Sequence, residues 1–327
     1  MNVLSLFDGI SAGMVALERA GIEVTNYYAS EIDKYAIQVS EKNYPDIIRL
    51  GDVTKWEDWV LPEINMIIGG SPCQGFSFAG KQLNFNDPRS ALFFEFVNIL
   101  RHVKPKYFLL ENVVMKKEYQ DVISEALGVQ PIMIDSALLS AQSRKRLYWT
   151  NIPNITQPID KGILLKDILE TGFVDRDKSF CVDANYFKGG NLKSYFEKNR
   201  RQLVFGTDEV NKATILGRRI NERGVRDDYN KNVKITQCLE VRASNTDKSN
   251  CLTTVQKDNV ITPLPIGRHV DVYGKKLPYR NLTPIECERL QTFPDGYTDC
   301  VSNTQRYKML GNSWTVDVIA HIFGGLK

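Results

Sequence analysis

The sequence predicts an α/β protein with a doubly wound, mostly parallel sheet and a second, smaller domain that is irregular and rich in β-structure. Short apolar runs alternate with helix-spaced segments over the first half of the chain. After about residue 172 this alternation ends, and glycine-containing turns separate short β-like runs. Helical patterning returns near residue 283. Because parallel strands are joined by helices that cover both faces of the sheet, the first pattern is typical of doubly wound folds.

The elements of the first half follow one another as strands and helices. Each predicted strand is a short apolar run, and each predicted helix carries apolar residues three or four positions apart. The predicted strands are NVLSLF, EVTNYYASE, IIRLGDV, INMIIGG and YFLLEN, and the predicted helices are SAGMVALERAG, DKYAIQVSEKN and RSALFFEFVNILRHV. In such sheets, ligands bind at the carboxyl ends of the strands, so the residues that follow each strand are the candidates for a site.

In the second half, ATILGRR and VKITQCLEV are predicted strands. TPIECERL is a predicted helix, because Thr283 can cap it, Pro284 suits its first turn and Glu286 completes a capping box. A terminal helix is predicted in WTVDVIAHIFGGL. We therefore expect a first domain over residues 1–171, a β-rich domain over 172–270, and a return segment over 271–327 that completes the first domain.

The composition argues against membrane and metal-binding classes. The chain has 327 residues, 43% of them hydrophobic. It has no continuous apolar run of the roughly 18 residues that a membrane helix needs. The N-terminus lacks the features of a signal peptide. Six cysteines form no CxxC pair, and only three histidines are present. We expect a cytoplasmic protein with no metal and no membrane partner.

The charge is unevenly distributed along the chain. Residues 188–250 contain 14 Lys and Arg against 8 Asp and Glu, whereas the whole chain has a formal net charge of only +3. A solvated surface is one interpretation. The other is a nucleic-acid-binding face, because phosphate contacts need clustered Lys and Arg side chains.

Three successive predicted strand ends favour a nucleoside cofactor. LFDGISAG at residues 6–13 is a glycine-containing turn between a strand and a helix, Glu31 ends the second strand, and Asp52 ends the next apolar run. An acidic residue at the end of the second strand, as Glu31 is, commonly binds ribose hydroxyls. Each feature alone is explained by a tight turn or a helix cap. The full GxGxxG pattern of a dinucleotide site is missing, so S-adenosylmethionine fits better than NAD.

Cys73 and Glu111 follow two further strands. Cys73 lies in GGSPCQGFS, among small and polar residues, where a partly exposed thiol can act as a nucleophile. Glu111 in YFLLENV would lie beside it and could exchange a proton with a substrate ring nitrogen. The alternative interpretations are that Cys73 is a small residue of the core and that Glu111 caps a helix. No histidine lies near Cys73 in sequence, which argues against a protease-like dyad.

Five segments in this order resemble the motifs of the DNA cytosine-5 methyltransferases. They are FDGISAG, SPCQGFS, LLENV, QSRKRLYW and MLGNSWTV, and the resemblance covers the chain except about residues 172–265. Some details are similar to the animal de novo enzymes, whereas the size is similar to a bacterial or phage modification methylase. The resemblance implies a Rossmann-like, S-adenosylmethionine-dependent catalytic domain with a target-recognition domain, and S-adenosylhomocysteine as product. It also implies double-stranded DNA as partner and a monomer in a bacterial or phage-infected cell.

The resemblance assigns roles residue by residue. Catalytic positions are Cys73 as nucleophile, Glu111 at the cytosine N3, and Arg144 with Arg146, which secure the flipped cytosine and the active-site loop. Glu31 would bind the ribose, Ile32 would pack on the adenine, and Asp52 with Val53 would read its edge. The cofactor positions are Phe7, Asp8, Gly9, Ile10, Ser11, Glu31, Ile32, Asp52, Val53, Pro72, Leu92, Asn312, Ser313 and Trp314. The DNA-closing loop holds Gln74, Ser77 and Lys81. The candidates for reading DNA bases are the arginines of the basic run GRRINERGVR, namely Arg218, Arg219, Arg223 and Arg226.

The chain departs from the family pattern at two positions. Ser11 stands where the family's first turn usually has a second glycine. Cys251 stands where a threonine is frequent, with Thr253 or Thr254 as alternative phosphate contacts. Two other functions stay open: a tRNA cytosine-5 methyltransferase, disfavoured by the basic insert and by the lack of a CFT-like element, and a non-catalytic DNA-binding relative. The second should have lost catalytic groups, yet they are present.

Overall fold

The structure is a computed structural model. It describes residues 1–72, 88–188, 192–206, 210–219, 230, 232, 235–241, 260–263, 269–272 and 275–327. For residues 88–90, 193 and 194, and for the strands between 210 and 278, the description is of the backbone. The chain folds into two compact units. The first comprises Met1–Glu170, Asp175–Gln202 and Leu282–Lys327, and the second comprises Thr171–Val174 and Leu203–Asn281.

The first unit is built on a seven-stranded sheet with the order β3-β2-β1-β4-β5-β7-β6. Its strands are β1 (Asn2–Leu6), β2 (Asn26–Ser30), β3 (Ile48–Arg49), β4 (Met66–Gly69), β5 (Tyr107–Val113), β6 (Ile132–Asp135) and β7 (Lys145–Thr150). All neighbouring pairs are parallel except those that β7 makes with β5 and β6. The strand order reverses between β1 and β4, and in open α/β sheets such a reversal marks the binding crevice.

Eight α-helices accompany the strands among the described residues. They are α1 (Ala12–Arg19), α2 (Lys34–Asn43), α3 (Pro88–Val103), α4 (Lys117–Leu127), α5 (Leu192–Phe196), α6 (Pro284–Leu290), α7 (Asn303–Asn312) and α8 (Val316–Phe323). In α6, Thr283 accepts from the backbone N–H of Glu286, whose carboxylate accepts from the N–H of Thr283. The predicted capping box is therefore present. Within the described segments, no helix has the length and apolarity to cross a membrane.

Helices pack on both faces of the sheet, because successive side chains of each strand point to opposite faces. Ile67 of β4 belongs to a core cluster with Phe96 of α3 and Ile123 of α4, all fully buried. Its neighbour Ile68 points the other way, because successive side chains of a strand alternate. There it meets Gly13 of α1, on which a Cβ would lie 2.4 Å from the Ile68 Cδ1. The predicted doubly wound, mostly parallel α/β sheet is confirmed.

The second unit contains two three-stranded sheets, with orders β10-β9-β11 and β12-β13-β8. Its strands are β8 (Leu203–Phe205), β9 (Val210–Arg219), β10 (Ile235–Val241), β11 (Val260–Pro263), β12 (His269–Val272) and β13 (Lys275–Asn281). All their pairings are antiparallel. This is the small β-rich domain that the sequence predicts. ATILGRR lies within β9, and the described part of the second predicted run, ITQCLEV, forms β10.

The two units do not begin and end where the predicted domains do. Residues 175–202 belong to the first unit, whereas the sequence prediction starts the β-rich domain at residue 172. The segment is tied to the first unit by buried contacts, among them the hydroxyl of Tyr186, which accepts from the backbone N–H of Leu282. As domains of function, catalytic over 1–171, target-recognising over 172–270 and returning over 271–327, the division stays a prediction.

Candidate active site

The loop after β1 has an unusual backbone. Phe7, Gly9 and Ser11 all have positive φ, at 58°, 60° and 60°. A Cβ on Gly9 would meet nothing within 4 Å, so the loop is open on that side. Ile10, between them, is buried. The loop therefore presents backbone to open space at the carboxyl end of β1, beside the point where the strand order reverses.

Ser11 has a left-handed backbone, which a glycine would adopt without a steric penalty. Left-handed backbone is unfavourable for a residue with a side chain. The Ser11 hydroxyl offsets this cost through two buried hydrogen bonds, at 2.6 Å to Asp8 Oδ2 and 2.5 Å to Ser40 Oγ. Asp8 also accepts from Tyr27 Oη at 2.8 Å, and burial raises the pKa of the Asp8 carboxyl. The side chain of Asp8 thus supports the loop from within, and a contact of Asp8 with a cofactor stays a prediction.

Glu31, directly after β2, ties two loops together. Its Oε2 accepts from Gly9 N at 2.8 Å, and its Oε1 accepts from the backbone N–H groups of Ile32 and Asp33, both at 2.8 Å. Ile32 is 73% exposed although it is a large apolar residue. A carboxylate held by three backbone donors beside an uncovered apolar side chain has the chemistry to take a ribose and a flat, apolar ring.

Asp52 and Val53 follow β3 and begin a 3-10 helix. Asp52 Oδ1 accepts from the backbone N–H and the hydroxyl of Thr54, both at 2.9 Å. The hydrogen bond from the Thr54 N–H is the main reason why the pKa of Asp52 is lowered. Val53 is buried. Asp52 is therefore a helix cap, as the alternative interpretation has it, and its contact with a cofactor stays a prediction.

Gly70 is where the ends of β4, β5 and the C-terminal segment meet. A Cβ on Gly70 would lie 3.0 Å from Nε1 of Trp314 and 3.2 Å from Oε2 of Glu111. A larger residue would therefore displace both side chains. The next two residues described are Ser71 and Pro72, which lead directly to Cys73 in the sequence. The carboxylate of Glu111 consequently lies beside the chain that carries Cys73.

Glu111 forms an ion pair with Arg146. The distance between Glu111 Oε1 and Arg146 Nε is 3.0 Å, and the two side chains are only 12% and 15% exposed. Glu111 lies inside β5, two residues before its end, and is paired with Tyr148 of β7. It is therefore not a helix cap. Because β7 runs antiparallel to β5, the side chain of Arg146 returns to the same end of the sheet.

Arg144 is buried and holds backbone rather than facing open space. Its Nη1 donates to the carbonyl oxygen of Val182 at 3.0 Å, and its Nη2 donates to those of Gly311 and Ser313 at 3.2 and 2.9 Å. It thereby fixes the segment that leads into Trp314. A contact of Arg144 with a flipped cytosine stays a prediction.

Cys181 is a functional candidate that the sequence analysis missed. Its Sγ lies 3.1 Å from Arg144 Nη1 and 4.0 Å from Arg146 Nη2. Burial alone would raise the pKa of this thiol, but the two guanidinium groups lower it. The Cys181 thiol therefore lies near both guanidinium groups, and one of them, that of Arg146, is paired with Glu111. The sequence offered no signal beyond a cysteine in a polar stretch, since the contact depends on the position of residues 175–202.

We expect iodoacetamide to alkylate Cys181 well before Cys287 in the folded protein at neutral pH. Cys181 is partly exposed and its pKa is lowered, whereas Cys287 is buried and its pKa is raised well above the usual value. The thiolate is the reactive form. The rate for Cys181 should fall only when the pH falls through its lowered pKa. Mass spectrometry of peptides after timed alkylation measures this, and earlier labelling of Cys287 would contradict it.

The remaining predicted residues lie as follows. Phe7 and Leu92 are partly buried against the core cluster, Asn312 is exposed, and Pro72, Ser313 and Trp314 are partly exposed. Outside the described residues lie Cys73, Gln74, Ser77, Lys81, Arg223, Arg226, Cys251, Thr253 and Thr254. Arg218 and Arg219 end β9, where the backbone is described. The structure thus brings Glu111, Arg146 and Trp314 together, and Glu31 with the loop after β1.

Comparisons with known proteins agree with this geometry. The family model described as C-5 cytosine-specific DNA methylase matches residues 1–327. Orphan methyltransferase M.SPRI of Bacillus phage SPR is 29% identical over 99% of this chain and 96% of its own. Type II methyltransferase M.HhaI of Haemophilus parahaemolyticus is 27% identical over 98% and 93%.

Solved structures share the fold over the whole chain. The Entamoeba histolytica methyltransferase EhMeth superimposes with a TM-score of 0.62 at 18% identity, covering 100% of this chain and 99% of its own. The S. pombe Dnmt2 methyltransferase has a TM-score of 0.57 at 17% identity, with the same coverage. At these identities the likeness concerns the fold.

Proposed function

The chain belongs to the C-5 cytosine-specific DNA methylase family and is a DNA cytosine-5 methyltransferase, and on this premise we propose how it acts. It transfers a methyl group from S-adenosylmethionine to C5 of a flipped-out cytosine in a specific duplex DNA sequence. The reaction proceeds through a covalent bond between Cys73 and C6 of that cytosine. The observation that carries the proposal is the Glu111–Arg146 ion pair beside Gly70, three residues before Cys73.

The residues after β1 and β2 fit S-adenosylmethionine. The open backbone at Gly9 admits a ligand, the carboxylate of Glu31 retains acceptor capacity for ribose hydroxyls, and the uncovered side chain of Ile32 suits an adenine ring. Trp314 and Phe7 would complete the apolar part of the site. When bound, this cofactor supplies an electrophilic methyl group on a sulfonium. The roles of the other proposed cofactor contacts follow the family assignment.

The protein's own groups have to make C5 nucleophilic. The thiolate of Cys73 adds to C6, which breaks the C5–C6 double bond and enriches C5 in electrons, a covalent strategy that divides one difficult step. Negative charge then develops toward N3 and O2. Glu111 holds a proton at N3, and Arg146 stabilises the charge at O2. Methyl transfer to C5 leaves S-adenosylhomocysteine. C5 then gives its proton to a base, and the electron pair of that C–H bond re-forms the C5–C6 double bond while the C6–S bond breaks, which restores the ring and the thiolate.

In this proposal DNA is bound by the basic, β-rich part of the chain and by the residues that follow Cys73 in the sequence. A cytosine inside a duplex is inaccessible, so it has to be flipped out at a cost of a few kcal/mol, which contacts with the protein offset. Gln74, Ser77 and Lys81 would close over the DNA. The arginines of the basic run would hold phosphates and read guanine edges in the major groove. They are Arg218, Arg219, Arg223 and Arg226.

The direct test is transfer of tritiated methyl groups from S-adenosylmethionine to duplex DNA and, in parallel, to tRNA. We expect label in DNA alone, and bisulfite sequencing should find the modified cytosines within one sequence context. Label in tRNA alone would favour the tRNA methyltransferase function. No label in either, with DNA still bound, would favour a non-catalytic relative.

Replacement of Glu31 by alanine should weaken binding of S-adenosylhomocysteine by about tenfold or more, because a ribose acceptor and three backbone hydrogen bonds are lost. Turnover at saturating S-adenosylmethionine should fall much less. Isothermal titration calorimetry and steady-state kinetics measure the two effects. Glu41→Ala is the control, since that side chain is 56% exposed and pairs with Arg49. Unchanged affinity in Glu31→Ala would contradict the assignment.

A further inference from the structure

The hydroxyl of Tyr297 donates a 2.7 Å hydrogen bond to the carbonyl oxygen of Ile10. The two residues are 287 positions apart in sequence, and both are buried. Ile10 belongs to the loop after β1, residues 7–11, called here the cofactor loop. We infer that Tyr297 is a positioning residue that holds the cofactor loop in its binding conformation. This rests on the proposed function for the identity of the ligand alone.

The carbonyl of Ile10 is not used by the helix that follows it. At the start of α1, the N–H groups of Met14 and Val15 both donate to the carbonyl of Ser11, at 3.1 and 3.3 Å. Tyr297 therefore provides the hydrogen bond that this buried oxygen needs. Because a peptide bond is planar, holding the Ile10 carbonyl also orients the N–H of Ser11, which donates to Asp8 O at 3.1 Å. One hydroxyl thus fixes the last peptide of the loop, between Ile10 and Ser11.

The cofactor loop needs such a contact because its conformation is intrinsically unfavourable. Phe7 and Ser11 carry side chains and yet have φ of 58° and 60°. For such residues a left-handed backbone costs free energy relative to the ordinary regions. Without the bond from Tyr297, other loop conformations gain population. Apparent affinity falls in proportion to the fraction of molecules in the competent conformation.

Tyr297 is itself held from both sides. Glu288, which is fully buried, accepts from the backbone N–H of Gly296 at 2.7 Å and from that of Thr298 at 2.8 Å. The Nη2 of Arg306 lies 2.9 Å from Oε1 of Glu288 and balances the charge of this buried carboxylate. Burial raises the pKa of the Tyr297 hydroxyl, so it stays a protonated donor at neutral pH. The donor is therefore fixed before any ligand binds, as preorganisation of a site requires.

The test compares Tyr297→Phe with Tyr307→Phe. Both changes remove one hydroxyl, and the Tyr307 hydroxyl also donates to a backbone carbonyl, that of Leu282, at 2.8 Å. We expect Tyr297→Phe to speed amide hydrogen exchange in peptides covering residues 7–14. It should also weaken binding of S-adenosylhomocysteine about tenfold by calorimetry, as expected for a buried acceptor left without its donor. Turnover at saturating cofactor should stay close to that of the wild type. Tyr307→Phe should show neither effect, although both variants lower Tm.

Each outcome decides a separate question. Unchanged exchange and unchanged affinity in Tyr297→Phe would overturn the inference while leaving the proposed function intact. Equal effects in Tyr307→Phe would also overturn it, because they would reflect general destabilisation. If wild-type protein fails to bind S-adenosylhomocysteine, the proposed cofactor is wrong, and the inference falls in its ligand-binding part. The exchange experiment then still decides whether Tyr297 holds the loop.

Discussion

Replacement of Cys73 by serine is expected to abolish methyl transfer, with a fall in rate of at least about 10³-fold, as for the loss of other covalent nucleophiles. A serine hydroxyl is far less acidic than a thiol and cannot supply an anion to C6 at neutral pH. Duplex DNA with 5-fluorocytosine at the target should trap the wild-type enzyme, because fluorine cannot leave C5 as a proton does. Denaturing electrophoresis detects the trapped complex.

Two measurements separate loss of chemistry from loss of structure. Cys73→Ser should keep its affinity for DNA and for S-adenosylhomocysteine, since the substitution removes only the nucleophile. Cys300→Ser is the matched control, because that thiol is partly exposed and donates a long hydrogen bond, at 3.9 Å, to the carbonyl oxygen of Gln38 on the surface. It should form the adduct like the wild type. An adduct in Cys73→Ser would exclude Cys73 as the nucleophile.

Replacement of Glu111 by glutamine is expected to slow methylation by about 10²- to 10⁴-fold, the range that general acid–base groups contribute. The amide cannot hold an exchangeable acidic proton at N3. It also removes the charge that pairs with Arg146 at 3.0 Å, so the guanidinium loses the partner that orients it. Binding of S-adenosylhomocysteine should be almost unchanged, since the residue is assigned to the substrate. Single-turnover kinetics and calorimetry measure the two quantities.

Glu118→Gln is the control for this change. Its side chain is 64% exposed and lies 3.7 Å from Lys116 on the surface, so methylation should be unaffected. An equal loss of rate and cofactor affinity in Glu111→Gln would instead assign that carboxylate to the cofactor site. A rate within about tenfold of the wild type would exclude it as the proton-holding group.

Local sequence patterns predicted most of the first unit. The alternation of apolar runs and helix-spaced segments predicted strands that became β1, β2, β4 and β5, and the capping box at Thr283 predicted the start of α6. Strand-end positions such as Glu31 were also predictable, because parallel strands end at one edge of the sheet. The run before Asp52 was overestimated, since β3 has only two residues. A two-residue strand at the sheet edge has too few positions for periodicity to reveal.

The sequence by itself determined the doubly wound fold, the family, and the identities of the candidate nucleophile and its carboxylate, because these depend on residue type and short-range order. Only the tertiary structure decided which distant side chains meet. The antiparallel register of β7 brings Arg146 to Glu111, and Arg144 reaches Gly311 across 167 positions. Tyr297 likewise reaches Ile10 across 287 positions. Such contacts depend on strand order, on register and on the packing of the return segment, and no local periodicity encodes them.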